Sequence, residues 1–235
     1  MTRTESSPLL AVAQPWEVDR LAAHATRIAA KMATDLTLGR PERAAALVRY
    51  YDGLCRGVGL DTVLAVCQTF HETGFWSSWW FLAPRRNMAG IGVNGHAHPP
   101  KPLTPGQWQP AATPGVLVKG HAFPTYASAA MSHVHGLALW AGAPAAAVAT
   151  LAARCRAAGV SPYTPPAKAR GSCTEWLHLG GAYNPRKVPW AHPGHATHLG
   201  KKGTPGYREI DAAEAFRLGL TYGHAMARHA QQILN

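Results

Sequence analysis

Two long stretches rich in glycine and proline interrupt the helical periodicity of this chain and limit the folds open to it. They cover about residues 79–120 and 159–206, and apolar residues show little periodicity in either. Elsewhere, helical patterns are found in residues 16–32, 41–51, 61–74, 126–140, 144–158 and 210–234. These patterns predict an α+β protein that is mainly α, with short strands near 91–93 and 116–118. Residues 1–15 are expected to form a loose arm.

The helix predicted over residues 61–74 carries the most informative side chain. Asp61 is a plausible N-cap, and Gly74 stops the helix. On a helical wheel Glu72 points away from the apolar side and lies in the last turn, where the helix dipole disfavours a carboxylate. Aromatic residues follow within 75–80, and their rings would add desolvation. Both effects raise the pKa of Glu72. The alternative is an ordinary solvated surface carboxylate.

The charge distribution favours an acidic polymer as partner. The chain has 23 Lys and Arg against 12 Asp and Glu, a formal net charge of +11. No acidic residue lies between Thr73 and Thr174, whereas eight Lys and Arg do. Such a surface suits nucleic acid, anionic lipid or the acidic bacterial wall, or is simply a soluble basic surface.

The sequence predicts a chain that is made in the cytoplasm. Its four cysteines contain no C-x-x-C pair and are interpreted as reduced thiols. The first residues lack the features of a signal peptide, and no apolar run approaches the roughly 18 residues of a membrane span. Action on a cell wall would therefore require delivery, by a phage or by non-classical export.

Two neighbouring motifs resemble the bacterial and phage glucosaminidase family, which includes flagellar-rod and autolysin-type peptidoglycan hydrolases similar to mannosyl-glycoprotein endo-β-N-acetylglucosaminidase. Residues 71–78 (HETGFWSS) resemble its E-[ST]-G-x-x-x-S stretch, and residues 85–92 (RRNMAGIG) its N-x-x-G-I stretch. Weaker similarities follow in the family's order, at FPTY, TEWLHLGG, WAHPG and TYG, which begin at residues 123, 174, 190 and 221.

The resemblance implies a lysozyme-like fold, with a helical lobe and a small irregular β-lobe flanking a groove. Residues 45–235 would form this catalytic domain, and residues 1–44 an N-terminal arm and helix. The implied reaction is hydrolysis of the β-1,4 bond after N-acetylglucosamine in peptidoglycan, without a cofactor. Glu72 would be the catalytic acid and Tyr222 the active-site tyrosine.

The resemblance also implies a substrate-binding surface. Asn87, Gly90 and Ile91 would form the loop under the glycan strand. Trp76 and Trp190 are candidates for stacking on sugar rings, although core packing is an equal alternative for each.

The sequence departs from the family pattern at two places. Residues 195–221 separate the WAHPG element from Tyr222, which makes Tyr207 a rival for the tyrosine role. Residues 182–189 also separate Gly181 from Trp190.

The second catalytic group is an open choice at this point. Ordinary glycosidases use two carboxylates. Glu175 is the nearest later acid, with Glu209 and Asp211 as poorer candidates. The substrate's own 2-acetamido group is slightly favoured over Glu175.

Other functions remain as alternatives. Thirteen histidines include short spacings such as His96-x-His98 and His133-x-His135, but no cysteine or acidic pattern completes a metal site, and exposed loop histidines are favoured. A lytic transglycosylase would use the same glutamate. A wall- or nucleic-acid-binding module without turnover is the rival from another class, with no nucleic acid expected on the main hypothesis. Oligomeric state is not predicted.

Overall fold

A computed structural model describes most of the chain and shows that it is mainly helical. The described residues are 3–31, 41–78, 80–83, 85–91, 108–110, 119–188, 190–191 and 194–235. Its α-helices are α1 (Pro15–Lys31), α2 (Pro41–Val58), α3 (Thr62–Glu72), α4 (Tyr126–Ala141), α5 (Ala145–Ala157), α6 (Ala212–Arg217) and α7 (Tyr222–Leu234). Two short 3-10 helices cover Ala167–Ala169 and Trp176–Leu179. The helix predictions are confirmed, with α2 longer than expected and the last pattern split in two.

The strands of the described residues are short, and each pairs with its neighbour along the chain. β1 (Trp108–Pro110) pairs antiparallel with β2 (Lys119–His121), and β3 (His198–Leu199) with β4 (Arg208–Glu209). Ile91 lies in a turn. Residues 92–93 and the strand predicted at 116–118 lie outside the described residues, as do Trp79, His96, His98 and His192.

Helix α3 is a buried central helix. All residues from Thr62 to Phe70 are buried, and α3 contacts α1, α2 and α7. The Asp61 carboxylate caps its first turn by accepting a hydrogen bond from the Val63 amide at 2.9 Å. The predicted N-cap is confirmed. The expectation that only one side of α3 is apolar and buried is wrong, because neighbouring helices cover α3 on several faces. In the described ranges, no helix combines the length and apolar character needed to cross a membrane.

The first residues are part of the core, so the prediction of a loose arm is wrong. Leu9 is fully buried, and its backbone bonds both Thr174 and Asp61. The Arg3 guanidinium forms ion pairs with Asp61 at 2.8 Å and Glu17 at 2.9 Å, and all three side chains are buried.

The expected division at residue 44 falls inside α2, and both sides of it share one hydrophobic core. The described parts of residues 3–44 therefore pack as part of the same unit as the residues that follow. Their role is at least structural.

Candidate active site

Glu72 is the last residue of α3, and its carboxyl group is approached from three other parts of the chain. The Tyr222 hydroxyl, at the start of α7, donates a hydrogen bond to Glu72 Oε1 at 2.5 Å. The Trp190 side chain also lies close enough to the Glu72 carboxyl group to stabilise its ionised form. Gly90 faces the other oxygen: a Cβ placed there would lie 3.2 Å from Glu72 Oε2. The Glu72 residue as a whole keeps partial access to solvent.

Burial raises the pKa of Glu72 to about 7, and the hydrogen bond from Tyr222 and the nearby Trp190 side chain partly oppose this rise. The direction of this pKa shift matches the prediction from sequence.

Trp76 does not line a substrate-binding surface, because its ring packs on Phe70 and Phe81 and is 1% exposed. Of the two roles open for Trp76, the structure therefore places it in the core, and its assignment to the substrate-binding surface is corrected.

Asn87 holds the loop that carries Gly90. Its amide Nδ2 donates to the carbonyls of Ile91 at 2.9 Å and His121 at 3.0 Å, and its Oδ1 accepts from the Ile91 amide at 2.8 Å. Asn87 and Ile91 are both buried. Asn87 and Ile91 thus shape the turn that carries Gly90, and the position of this turn under a substrate stays a prediction. Gly90 has a φ of 59°, which a residue with a side chain rarely adopts.

Trp190 lies beside Glu72 but is packed among other rings. Its ring centroid is 5.5 Å from that of His133 and 5.6 Å from those of Trp140 and Tyr163. It remains partly exposed. The structure therefore gives Trp190 a packing role beside Glu72, and stacking on a sugar stays a prediction.

The two segments that do not fit the glucosaminidase pattern are loops, and the two ends of each loop lie next to each other. Gly180 and Ala191 form a parallel bridge, and the Gly181 amide donates to the Ala191 carbonyl at 2.9 Å. The chain that leaves this point after Gly181 therefore returns to it at Ala191. His195 and Thr221 form an antiparallel bridge in the same way, which closes the loop containing β3, β4 and α6.

The end of the second loop brings Tyr222 to Glu72. The Tyr222 amide donates to the Gly194 carbonyl at 2.8 Å. Tyr207 instead lies next to β4, with its ring 5.5 Å from that of His198. Of the two rival tyrosines, the structure places Tyr222 at the carboxyl group.

The contact that seats Tyr222 requires glycine on both sides. A Cβ on Gly194 would lie 2.3 Å from the Cα of Gly180 and 2.4 Å from the Gly181 nitrogen, and Gly194 has a φ of 76°. Backbone atoms cannot move aside as a flexible side chain can. Close approach of the two glycine loops therefore positions both Trp190 and Tyr222.

We expect Gly194→Ala to lower the free energy of unfolding by about 2 kcal/mol or more, through left-handed strain and the backbone clash. Urea unfolding measures the change. Gly203→Ala is the matched control, because Gly203 has a φ of 86° but nothing within 4 Å of its added Cβ. Equal losses in the two variants would show that the close approach is unimportant.

The other candidate acids do not meet Glu72 through any contact shown by the described residues. Glu175 precedes the second 3-10 helix, and its backbone bridges to Pro8. Asp211 caps α6 by accepting from the Glu214 amide at 2.8 Å, and Glu209 is exposed in β4. None of the causes that shift the pKa of Glu72 is a neighbouring acid.

The histidine prediction needs correction as well. His133 and His135 are buried in α4, so they are not exposed loop residues, whereas His198 is exposed. No group of three or more potential ligands among the described residues is arranged to hold a metal ion.

Sequence reasoning overlooked the groups behind Tyr222. Gln68 lies one helical turn before Glu72 and donates to the Tyr222 hydroxyl at 2.9 Å. An amide four residues before the glutamate, within an otherwise apolar helix, was the signal that could have indicated this contact.

In comparisons with protein-family models, with curated proteins and with solved structures, nothing matched this chain.

Proposed function

We propose that this protein is a peptidoglycan hydrolase, an endo-β-N-acetylglucosaminidase, in which Glu72 is the general acid. The observation that carries the proposal is the Glu72 carboxyl group, with its pKa raised to about 7 by burial and with partial access to solvent. A general acid works best when its pKa lies near the operating pH. Such a group can protonate the oxygen of a glycosidic bond as that bond breaks.

The convergence of distant motif residues supports this assignment. Glu72, Gly90, Trp190 and Tyr222 come from four separate parts of the chain and meet at one carboxyl group. Both loops that depart from the glucosaminidase pattern return to their starting points, so they leave this arrangement intact. A lysozyme-like arrangement of helices and small β-lobe around a glycan groove is part of the proposal.

An anionic glycan fits the charge of the chain. The net charge is +11, and residues 74–173 contribute eight Lys and Arg and no acid. Peptidoglycan carries carboxylates on its stem peptides, so a chain with this net charge would attract it.

The absence of an acidic neighbour at Glu72, in the part of the chain that is described, supports substrate assistance. In this mechanism the proton on Glu72 passes to the glycosidic oxygen while the oxygen of the 2-acetamido group attacks the anomeric carbon. The leaving sugar departs with the bond electrons. Water then opens the cyclic intermediate and returns a proton to the Glu72 carboxylate.

The same observation favours a second candidate, a lytic transglycosylase. There the C6 hydroxyl of muramic acid takes the place of water, and one glutamate acts as acid and then as base. Mass spectrometry of fragments from purified peptidoglycan separates the two. We expect a reducing N-acetylglucosamine end, whereas a 1,6-anhydro muramic end would establish the transglycosylase.

Loss of turbidity on adding the protein to purified walls tests for any cutting. Binding to walls without turbidity loss and without new ends would contradict both enzymes and identify a binding module. For a nucleic-acid binder, affinity for DNA would fall steeply with salt.

We expect wall cleavage to decline above about pH 7, because Glu72 must be protonated to act and its pKa is about 7. Above that value kcat/KM should fall about tenfold for each further pH unit. Initial rates of turbidity loss across a buffered pH series measure this limb. A rate that stays constant well above pH 7 would show that Glu72 does not donate the proton.

A further inference from the structure

A line of hydrogen bonds continues from Glu72 through Tyr222 into the core. Gln68 Nε2 lies 2.9 Å from the Tyr222 hydroxyl, and Gln68 Oε1 lies 3.0 Å from His133 Nε2. His133 Nδ1 in turn lies 3.0 Å from the Tyr51 hydroxyl. Tyr51, Gln68 and His133 are fully buried. The line therefore joins α2, α4, α3 and α7 and ends at the one carboxyl group of the candidate site.

The chemistry of the donors gives this line a direction. An amide nitrogen only donates, so Gln68 donates to Tyr222, and its oxygen must accept from His133 Nε2. His133 Nδ1 then accepts from Tyr51, which requires a neutral imidazole with its hydrogen on Nε2. Burial lowers the pKa of His133 to about 3, which keeps the ring neutral. Every donor in the line thus points toward Glu72.

The reverse direction would demand a different arrangement at each step. Glu72 would donate to Tyr222, the Gln68 amide would be turned around, and His133 would carry its hydrogen on Nδ1. The two directions are thus distinguished by which nitrogen of His133 is protonated.

We infer that Tyr51, His133 and Gln68 are positioning residues that hold the Tyr222 hydroxyl as a donor to Glu72 Oε1, so that the transferable proton is carried on Glu72 Oε2. Oε1 already accepts the Tyr222 hydrogen. Oε2 faces Gly90, where a Cβ would approach it to 3.2 Å, so the glycine keeps a side chain away from this oxygen. The catalytic consequence rests on the proposed function, whereas the direction of the hydrogen bonds does not.

Other titratable groups near Glu72 do not supply this orientation. The His71 ring meets Tyr222 edge-on at 5.1 Å, and its Nδ1 lies 3.4 Å from His229 Nε2 on α7. Burial and the nearby His229 and Arg228 lower the pKa of His71 to about 4, so it is uncharged where Glu72 titrates. Tyr222 keeps its proton there as well, because burial raises its pKa.

The first test reads the tautomer of His133 directly. Nitrogen NMR of histidine-labelled protein, with the His133 signals assigned by their loss in His133→Gln, should show hydrogen on Nε2 and none on Nδ1. A neutral ring protonated on Nδ1 would overturn the inference. This measurement needs no substrate.

The second test follows the Glu72 carboxyl by carbon NMR, with the signal assigned by its loss in Glu72→Gln. We expect the pKa of Glu72 to rise by about one pH unit in Tyr222→Phe and by about half a unit in Gln68→Met, because each removes or weakens a donor to the carboxylate. Val66→Ala is the control for packing, since Val66 is buried in the same helix outside the line. It should leave the pKa unchanged even if it lowers the melting temperature.

The activity of the same variants links orientation to catalysis. In Gln68→Met the alkaline limb of wall cleavage should move upward with the pKa of Glu72, and kcat should fall by about tenfold while KM changes little. An unchanged Glu72 pKa in Gln68→Met would overturn the inference. Wild-type protein that shows the expected NMR results but cuts no wall would disprove the proposed function and leave the hydrogen-bond direction established.

Discussion

Glu72→Gln should lower the rate of peptidoglycan cleavage at least about 100-fold, because glutamine keeps the shape of the side chain but has no acidic proton to donate. The amide oxygen introduced by this substitution can still accept from the Tyr222 hydroxyl, so the fold around α3 should persist. Turbidity loss and the yield of new reducing ends, measured on purified walls, give the rate. Circular dichroism and wall binding check that the variant is folded.

The same variant should be more stable than the wild type at alkaline pH. A buried carboxyl with a raised pKa costs folding free energy as pH rises from its unfolded value of 4.5 to about 7, because the folded state resists losing the proton. Glutamine removes this cost. We expect a gain of about 1–3 kcal/mol above about pH 7 and little gain near pH 4.

Glu175→Gln is the matched control for this substitution. It makes the same chemical change at the rival acid, which shows no contact with Glu72 in the described residues. If the substrate's acetamido group is the nucleophile, Glu175→Gln should retain nearly full activity. Equal activity of Glu72→Gln and wild type would remove the basis of the proposed function, and a loss in Glu175→Gln as large as in Glu72→Gln would contradict substrate assistance.

Local signals allowed the helices and the central glutamate to be predicted. Asp61 caps α3 as expected, and Glu72 ends it with a raised pKa. The cap depends on residues that are neighbours along the chain, so the sequence contains it directly. The direction of the Glu72 pKa shift was also predicted, but its main cause in the structure is burial, which depends on tertiary packing.

The parts that sequence did not reveal depend on contacts between distant residues. The Gly180–Gly194 approach seats Tyr222, and the Gln68–His133 hydrogen bond spans two helices. For Trp76 the sequence left sugar stacking and core packing open, and the packing of its ring on Phe70 and Phe81 places it in the core. Such features arise from tertiary packing, which a helical periodicity leaves undetermined.

The prediction that residues 1–15 form a loose arm was wrong, and the ion pairs of Arg3 in this segment give the largest expected effect on stability. Arg3→Ala should lower the free energy of unfolding by about 3–5 kcal/mol, because it leaves two buried carboxylates without their cation. Those carboxylates belong to Asp61, which also caps α3, and to Glu17 of α1. Urea unfolding at fixed salt measures the loss.

The stability lost in Arg3→Ala should increase as the pH rises. Burial raises the pKa of Asp61, while the hydrogen bond and charge of Arg3 oppose that rise. Without Arg3 the pKa should rise further, so the folded variant binds a proton that the unfolded chain has already lost, and its stability falls as pH rises through that interval. The difference from wild type should therefore be larger at about pH 7 than at about pH 4.

Arg49→Ala is the control, since the Arg49–Asp19 ion pair is 2.9 Å long but both side chains are mostly exposed. Its removal should cost no more than about 1 kcal/mol. If Arg3→Ala lowered the free energy of unfolding as little as Arg49→Ala, the ion pairs of Arg3 would not anchor the first residues to the core. A large, pH-dependent loss would instead establish that the helix carrying Glu72 is anchored at its start by a residue that precedes every helix of the described chain.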